Sequence, residues 1–373
     1  MSWQITGGQI LHDTLSEGAL TLASGVIGTG TARHQLDARG FWILPGIVDL
    51  HGDAFERHLA PRRGMVSDLG ANLGFVEGEL AACGITTAWL AQFWSWEGGM
   101  RGPEFATRLA HALKATDLRL DMRMQLRLET HMIDDLKAVV DLAKETGLDY
   151  LLFNDHLPHK ALESGKKPPR LNGSALKAGR SPEAHHAMMH ALKARDAEVE
   201  GFVRAVMQAL PDLRFGSHDD DAGLRDVWAA RGVRIAEFPV SREAAVAARA
   251  QGHAVIMGAP NVLRGGSHNR GSVSAGDLVA EGLVDALASD YHYPAMIGAV
   301  FALVDRGICD LAQAWRLVSE GPAQVMGLTD RGILEAGKRG DLVILCPERR
   351  RVMGCFAAGR PVFLSGALAE RLG

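Results

Sequence analysis

Five short apolar runs in this chain each stop on a side chain that can hold a metal ion, and that recurrence limits the fold more than any other feature. Ile43-Leu-Pro-Gly-Ile-Val48 leads into Asp49-Leu-His51-Gly-Asp53. Met124-Gln-Leu-Arg-Leu closes on Glu129, and Tyr150-Leu-Leu-Phe-Asn closes on Asp155 and His156. Leu213-Arg-Phe-Gly-Ser closes on His218, with Asp219 and Asp220 behind it, and Asp285-Ala-Leu-Ala-Ser closes on Asp290. A strand alternates its side chains with period two, so His51 and Asp53 leave a strand on the same face. An imidazole nitrogen and a carboxylate oxygen converging on one point suit Zn²⁺ or a similar divalent ion. Taken singly, His-x-Asp is more often an ordinary polar strand end. The repetition downstream reverses that balance.

Between these runs lie helix-like stretches such as Pro103–Thr116, Asp134–Thr146, Ala222–Arg231 and Arg242–Gln251. Three more strand-like runs, Thr86–Gln92, Arg234–Pro239 and Ala254–Pro260, bring the number of strands to eight. Strands alternating with helices predict βα units and a parallel sheet. Eight of them predict an α/β fold of the (β/α)8, TIM-like kind, with chemistry at the C-terminal strand ends, where these ligand-type residues fall.

The chain has 373 residues, more than the roughly 250 a barrel uses. The remainder reads as β-structure at both ends. Trp3–Ile5, Gly8–Leu11, Gly18–Leu22 and Gly25–Gly28 are short strands with Gly turns, and Leu342–Cys346 and Gly359–Phe363 stand out in the tail. The simplest arrangement is one small β-sandwich built from residues 1–44 and 332–373, flanking a barrel of residues 45–331. Two independent decorations are the alternative.

Composition narrows the function. Hydrophobic residues make up 47% and charged residues 23%, and the net charge is −4. An ordered protein without a general nucleic-acid or membrane-surface role follows. No apolar run approaches the roughly 18 residues of a membrane helix, and the start lacks the basic and apolar segments of a signal peptide. Cys83, Cys309, Cys346 and Cys355 are scattered, as expected of reduced thiols in a cytoplasmic protein. Self-association into a homo-oligomer stays open.

Leu44-Pro-Gly-Ile-Val-Asp-Leu-His51, Gly321-Pro-Ala-Gln-Val-Met-Gly-Leu328 and Gly332-Ile-Leu-Glu-Ala-Gly-Lys-Arg-Gly-Asp341-Leu-Val343 resemble the first strand, the closing helix and the re-entry segment of the amidohydrolase superfamily. The resemblance covers nearly the whole chain. His51-Gly-Asp53, Ala81-Ala-Cys-Gly-Ile-Thr-Thr87, Ser217-His-Asp-Asp220, Ala236-Glu-Phe-Pro239, the long string from Met257 to His268, and Ser289-Asp-Tyr291 narrow it to the phosphonate-metabolism branch. Asp155-His156-Leu157-Pro158-His159 and Asp290-Tyr-His-Tyr-Pro294 depart from that branch's Asp-His-Ser-Pro-Gly and Asp-Tyr-Tyr-Pro.

The resemblance implies a metal-dependent hydrolase with one or two divalent ions, zinc preferred, and a small phosphorylated molecule as its partner. Such an ion lowers the pKa of a bound water towards about 7. His51 and Asp53 are then expected on one ion, His156 and His218 on a second, and Glu129 between them. Asp290 is expected to touch the first ion and to act as general base. Glu237, at the sixth strand end, is a ligand, an orienting carboxylate or a barrel-interior acid, and Asp219 and Asp220 are expected to orient His218 or cap a helix. For substrate, Asn261, Arg264 and His268 follow the seventh strand, where two glycines let backbone approach an anion and Arg can grip phosphate. Lys166 and Lys167 lead a basic stretch, Lys160 to Arg180, read either as a mobile lid that gathers polyphosphate or as a solvated loop. Arg62-Arg63 could serve the same anion. Phe93, Trp94 and Trp96 are expected to pack the wall, Arg127 to point inward and meet a carboxylate, and His131, His159, His185, His186, His190 and His292 to lie outside the site.

The expected activity is that of a diphosphatase acting on a ribose 5-triphosphate and releasing pyrophosphate. Hydrolysis of a C–N bond in a cyclic amide or an N-acyl amino sugar is the alternative, since the same metals can polarise a carbonyl. A scaffold without activity is disfavoured by five filled strand ends.

Overall fold

A computed structural model describes residues 2–60, 68–266 and 273–373. The chain opens with β1 (Ser2–Leu11), β2 (Leu15–Ala23), β3 (Val26–Gly28), β4 (His34–Asp37) and β5 (Trp42–Pro45). Eight strands follow: β6 (Ile47–Gly52), β7 (Ile85–Trp94), β8 (Asp121–Glu129), β9 (Tyr150–Asn154), β10 (Arg214–His218), β11 (Ile235–Glu237), β12 (Ala254–Gly258) and β13 (Ala286–Ala288). The tail adds β14 (Leu342–Cys346), β15 (Arg351–Ala357) and β16 (Arg360–Leu364).

β6 to β13 form one parallel sheet in chain order. Every residue of β7 is buried, as a strand covered on both faces requires. An apolar cluster drawn from strands all round the sheet, Val48, Trp89, Leu152, Ile235, Ile256 and Ala286, fills the interior. Two of the outer helices begin on side-chain caps: Ser241 accepts from Ala244 N ahead of Arg242–Ala250, and Asp221 from Leu224 N ahead of Ala222–Ala230. Each cap satisfies an amide the first turn leaves unpaired. Among the described residues no helix is long and apolar enough to cross a membrane.

The ring closes where β13 meets β6. Asp290 N donates to His51 O at 2.8 Å and Asp53 N to Asp290 O at 2.9 Å. The buried carboxylate of Asp49 accepts from Ser289 N at 2.9 Å and Ser289 Oγ at 2.5 Å. Gly52 lies inside this seam. A Cβ there would fall 2.6 Å from Tyr293 and 2.9 Å from both Asp49 Oδ2 and Ser289 Oγ, so no larger residue fits without displacing the closure.

The terminal strands form the second sheet, in the order β16-β15-β14-β5-β1-β2-β3, with β4 also on β1. The two chain ends pair directly, β5 running antiparallel to β14 from Pro45–Leu342 to Trp42–Leu345. β1 serves both halves. Its first residues pair with β4 and its last with β5, and its pairing with β2 shifts register between Thr6 and Gly8, where Gly7 takes φ +74°. Ile5, Leu22, Leu36, Ile43, Ile344 and Phe356 give this sheet a core of its own. β15 escapes a sequence reading because all its residues after Arg351 are buried, which erases the alternation of a half-exposed strand.

The basic stretch after β9 is helical where a loop was expected. His159–Glu163, Leu171–Lys177 and Pro182–Lys193 are helices that share a small core of Trp96, Leu157, Leu162, Leu171 and Met189. Ser181 caps the third helix, with Pro182 at its first position, a strong start signal. Trp96 is therefore a packing residue, as expected.

Two expected outcomes test this architecture. Gly52→Ala should lower stability by about 1–3 kcal/mol, the usual penalty of overpacking, and an unchanged denaturant midpoint would show that the seam tolerates a methyl group. At the other rim, buried Arg331 donates to Asp121 Oδ2 at 2.6 Å and to Thr87 Oγ1 at 2.7 Å. Although burial opposes it, Arg123 and Arg331 hold the Asp121 carboxyl down at about 2. A depressed acid contributes stability above its unfolded pKa of about 4 and loses it as pH falls through the folded value. Acid unfolding of wild type between pH 4 and 2 should therefore include this loss. Asp121→Asn should already be less stable at pH 7, by about 1–3 kcal/mol, because buried Arg331 keeps only Asp330, and Arg123 only Asp149, of their carboxylate partners. Denaturant midpoints across that pH range decide it, and parallel curves for the two proteins would remove the assignment.

Candidate active site

Barrel closure brings the ends of β6 and β13 together. One donor atom from each of His51, Asp53 and Asp290 lies within 4.8 Å of the others, and His51, His218 and Glu237 form a second such group. The two groups share His51. Three strand ends turn here through left-handed backbone: Asp219 at φ +58°, Phe238 at +55° and Asp290 at +56°. Non-glycine residues pay about 1–3 kcal/mol for this region, and hydrogen bonds to the neighbouring strand hold them in it. Asp219 N donates to Glu237 O at 3.0 Å and Phe238 N to Ile256 O at 2.9 Å. The Phe238 ring packs 5.1 Å from His51 and 5.2 Å from His218, centroid to centroid.

Glu237 is wholly buried, with Oε2 2.9 Å from His51 Nδ1 and Oε1 accepting from Gln125 Nε2 at 3.0 Å. Burial pushes its carboxyl up to about 7 and the His51 imidazole down to about 3. His218 is lowered as well, by burial and then by Arg127. Neutral imidazoles keep a lone pair for a cation. Burial, reinforced by the charge of Asp53, raises Asp290 to about 7. Nδ1 of His218 has no hydrogen bond, although Asp219 Oδ2 lies 3.1 Å away. Buried carboxylates, neutral imidazoles and an unused ring nitrogen at one point suit a divalent ion of the zinc kind.

Arg127 departs from expectation. It points inward, but among the described residues no carboxylate lies within ion-pair distance of it. Nη2 stands 3.3 Å from His218 Nε2, and the guanidinium sits 3.9 Å from the centre of the Phe93 ring, which Arg101 also covers at 4.4 Å. Phe93 thus packs as wall, as expected, while holding two cations at the barrel mouth.

Other expected site residues divide. Glu129 and His156 lie at adjacent strand ends and close on each other: His156 Nδ1 meets Glu129 Oε1, and its amide donates to Oε2 at 3.0 Å. Among the described residues neither joins a donor cluster, and the two side chains pair with each other as carboxylate and imidazole. The His156 ring still borders the site, 6.4 Å from that of His218. Asn261, expected on substrate, anchors its own loop instead. Its amide donates to Val273 O at 3.1 Å and accepts from Ala275 N at 2.9 Å. Arg264 reaches the Tyr291 hydroxyl and acts electrostatically on Asp290. Lys166 and Lys167 are exposed, between the first two helices of the insertion. Arg180 ties that insertion to Trp96 O at 2.7 Å. Asp220 is bound to Ser217 at 2.5 Å and Arg225 at 3.0 Å, and the helix cap is its neighbour Asp221. His268 and Arg62-Arg63 lie outside the described residues.

Residues 181–362 match the amidohydrolase family. The chain is 30% identical over 351 residues to α-D-ribose 1-methylphosphonate 5-triphosphate diphosphatase of Escherichia coli (strain K12), covering 90% of this chain and 92% of that one. Its fold is shared with the β-aspartyl dipeptidase of Fervidobacterium islandicum AW-1, at TM-score 0.61 and 14% identity over 99% of this chain and 98% of the other. It is also shared with a zinc-bound adenosine deaminase of Xanthomonas campestris, at TM-score 0.54 and 13% identity over 98% and 94%. The chain belongs to the amidohydrolase family. It is a metal-dependent hydrolase, and its expected barrel and terminal sheet are present.

Glu237 joins the site from a strand whose end the sequence marked only with a carboxylate. Its position, closing β11 as His218 closes β10, was the available signal. Because its folded pKa is raised, it favours the fold below its unfolded pKa of about 4.5 and ceases to do so as pH rises through about 7. Metal-stripped wild type should therefore lose melting temperature between pH 5 and 8. Glu237→Gln, which never carries the charge, should lose less across that range and bind metal more weakly. Thermal melts with and without chelator check both; identical pH slopes would remove Glu237 as the cause.

Proposed function

We propose that this enzyme is a diphosphatase that splits a ribose 5-triphosphate carrying a C1 phosphonate and releases pyrophosphate, the activity for which its E. coli relative is named. One or two divalent ions, zinc preferred, would be held among His51, Asp53, His218, Glu237 and Asp290. The observation that carries the reading is Arg127, a buried guanidinium with no carboxylate at ion-pair distance among the described residues, beside a metal-type donor set in one barrel mouth. A cation so placed is suited to a phosphate oxygen, which it can grip in a planar, bidentate way.

When bound, a divalent ion polarises a phosphoryl oxygen and acidifies water. The protein's own contribution is proton transfer and charge. Asp290, held near pH 7, takes the proton as water attacks phosphorus; the P–O bond to the leaving pyrophosphate breaks, and ribose 5-phosphate remains with its phosphonate intact. Arg127 and Arg264 offset the charge of the phosphates, and both act electrostatically on the Asp290 carboxyl.

The test is pyrophosphate release from ribose 5-triphosphates, beside a panel of cyclic amides and N-acyl amino sugars. Turnover of the triphosphates is expected, and turnover confined to the C–N panel would replace this reading with amide hydrolysis. Asp290→Asn should lose about 10²-fold in kcat, the usual worth of a placed base, while keeping most of its metal. A loss of only a few-fold would remove Asp290 from that role. Arg264→Lys keeps the charge but not the bidentate grip, and should lower kcat/KM on the triphosphate.

A further inference from the structure

A second set of metal-type donors shares no residue with those of the candidate active site. His131 follows β8, Asp155 follows β9, and His159 opens the first helix of the insertion. One donor atom from each lies within 4.8 Å of the other two. Asp155 Oδ1 stands 3.8 Å from His131 Nδ1, and the two Asp155 oxygens stand 2.9 and 2.8 Å from His159 Nε2. The two imidazole rings are 5.6 Å apart. Ligands about 2.0–2.2 Å from a tetrahedral ion stand roughly 3.3–3.6 Å apart, a spacing that lies between the His159 contact and the wider His131 one.

The fourth member of the group sets the chemistry. His131 is buried, and its Nε2 lies 2.9 Å from Asp196 Oδ1, while Lys193 holds the other Asp196 oxygen at 2.5 Å. A carboxylate on one ring nitrogen draws the proton to that nitrogen, which leaves Nδ1 as a bare acceptor turned toward the Asp155 carboxylate. Metal-ligating histidines are oriented in this way, through a carboxylate on the far nitrogen. The Thr130 hydroxyl reaches the same Nδ1 only at 3.4 Å, too long for a strong hydrogen bond. His131 Nδ1 and Asp155 Oδ1 are two acceptors that face each other at 3.8 Å, and a cation between them would satisfy both. Two nitrogens and a carboxylate prefer an ion of the zinc, cobalt or nickel type over magnesium or calcium, which take oxygen ligands.

We propose that His131, Asp155 and His159 bind a divalent transition-metal ion, distinct from the active-site donors, which clips the helical insertion to the barrel rim. His131 and Asp155 belong to the barrel's strand-end loops and His159 to the insertion, so one ion spans the two. The site is independent of the substrate reading above.

The probes are Zn²⁺ and Co²⁺ alone, added to the metal-stripped full chain. His159 is partly exposed, so His159→Ala is expected to fold. It should bind one equivalent less than wild type, and its Co²⁺ form should lose part of the visible absorption of tetrahedral cobalt. His131→Asn should lose the same equivalent, whereas His218→Ala should keep it. Proteolysis within residues 159–193 should quicken when metal is stripped from wild type and should be metal-independent in His159→Ala. Equal metal content in wild type and His159→Ala would overturn the site, leaving an ion-pair network. Loss of every bound ion in His159→Ala would overturn its separateness from the active site.

Discussion

The seam between the first and last barrel strands is the constraint on which the rest of this structure depends. Asp49 accepts two hydrogen bonds from Ser289 inside a dry interior, and two backbone bonds beside it fix Asp290 against His51 and Asp53. Burial lifts the Asp49 carboxyl to about 6 even against those donors, because the charged form is disfavoured away from water. The same contacts that close the ring place an acid from one end of the barrel beside a histidine and an acid from the other. Closure and site assembly are therefore one event, and Gly52 is required because the seam leaves no room for a side chain.

Above that seam the barrel interior changes character. Apolar residues from strands all round the sheet fill the interior, but at the strand ends Gln125, Glu237, His51, His218 and Arg127 are packed together with few water-facing atoms. Burial opposes charge on almost every one of them, raising the carboxyls and lowering the imidazoles and the guanidinium. Together with three strand-end residues in left-handed backbone, this is stability given up locally for a chemical purpose. The binding of cations and of an anionic substrate is what such an arrangement favours, since each ligand supplies charge that the buried groups lack.

Much of the barrel was legible because its strands are buried on both faces and read as short apolar runs. The β14 strand matched its expected bounds for the same reason. His51, Asp53, His218 and Asp290, which the structure gathers in the candidate site, each directly follow or end such a run. Glu129 and His156 were less legible. Their place at strand ends was evident, but whether they face an ion or each other depends on how β8 and β9 lie side by side. Asn261 carried the right neighbourhood and the wrong partner, since its amide meets backbone twelve and fourteen residues further along. The insertion was misread as a loop because Gly165, Gly173 and Gly179 and its many lysines mask helices that only their shared core stabilises.

By itself, the sequence determined the parallel barrel, the β character of both ends and the residues able to bind metal. These are local properties, set by side-chain period, by run length and by the chemistry of single residues. Only the tertiary structure decided which of those residues meet. Barrel closure joins Asp290 to His51 across 239 positions of chain, strand order puts Glu237 against His51 and Arg127 against His218, and the insertion carries His159 to His131 and Asp155. Such meetings depend on long-range packing in a solvent-free interior, where geometry and burial together choose partner and charge.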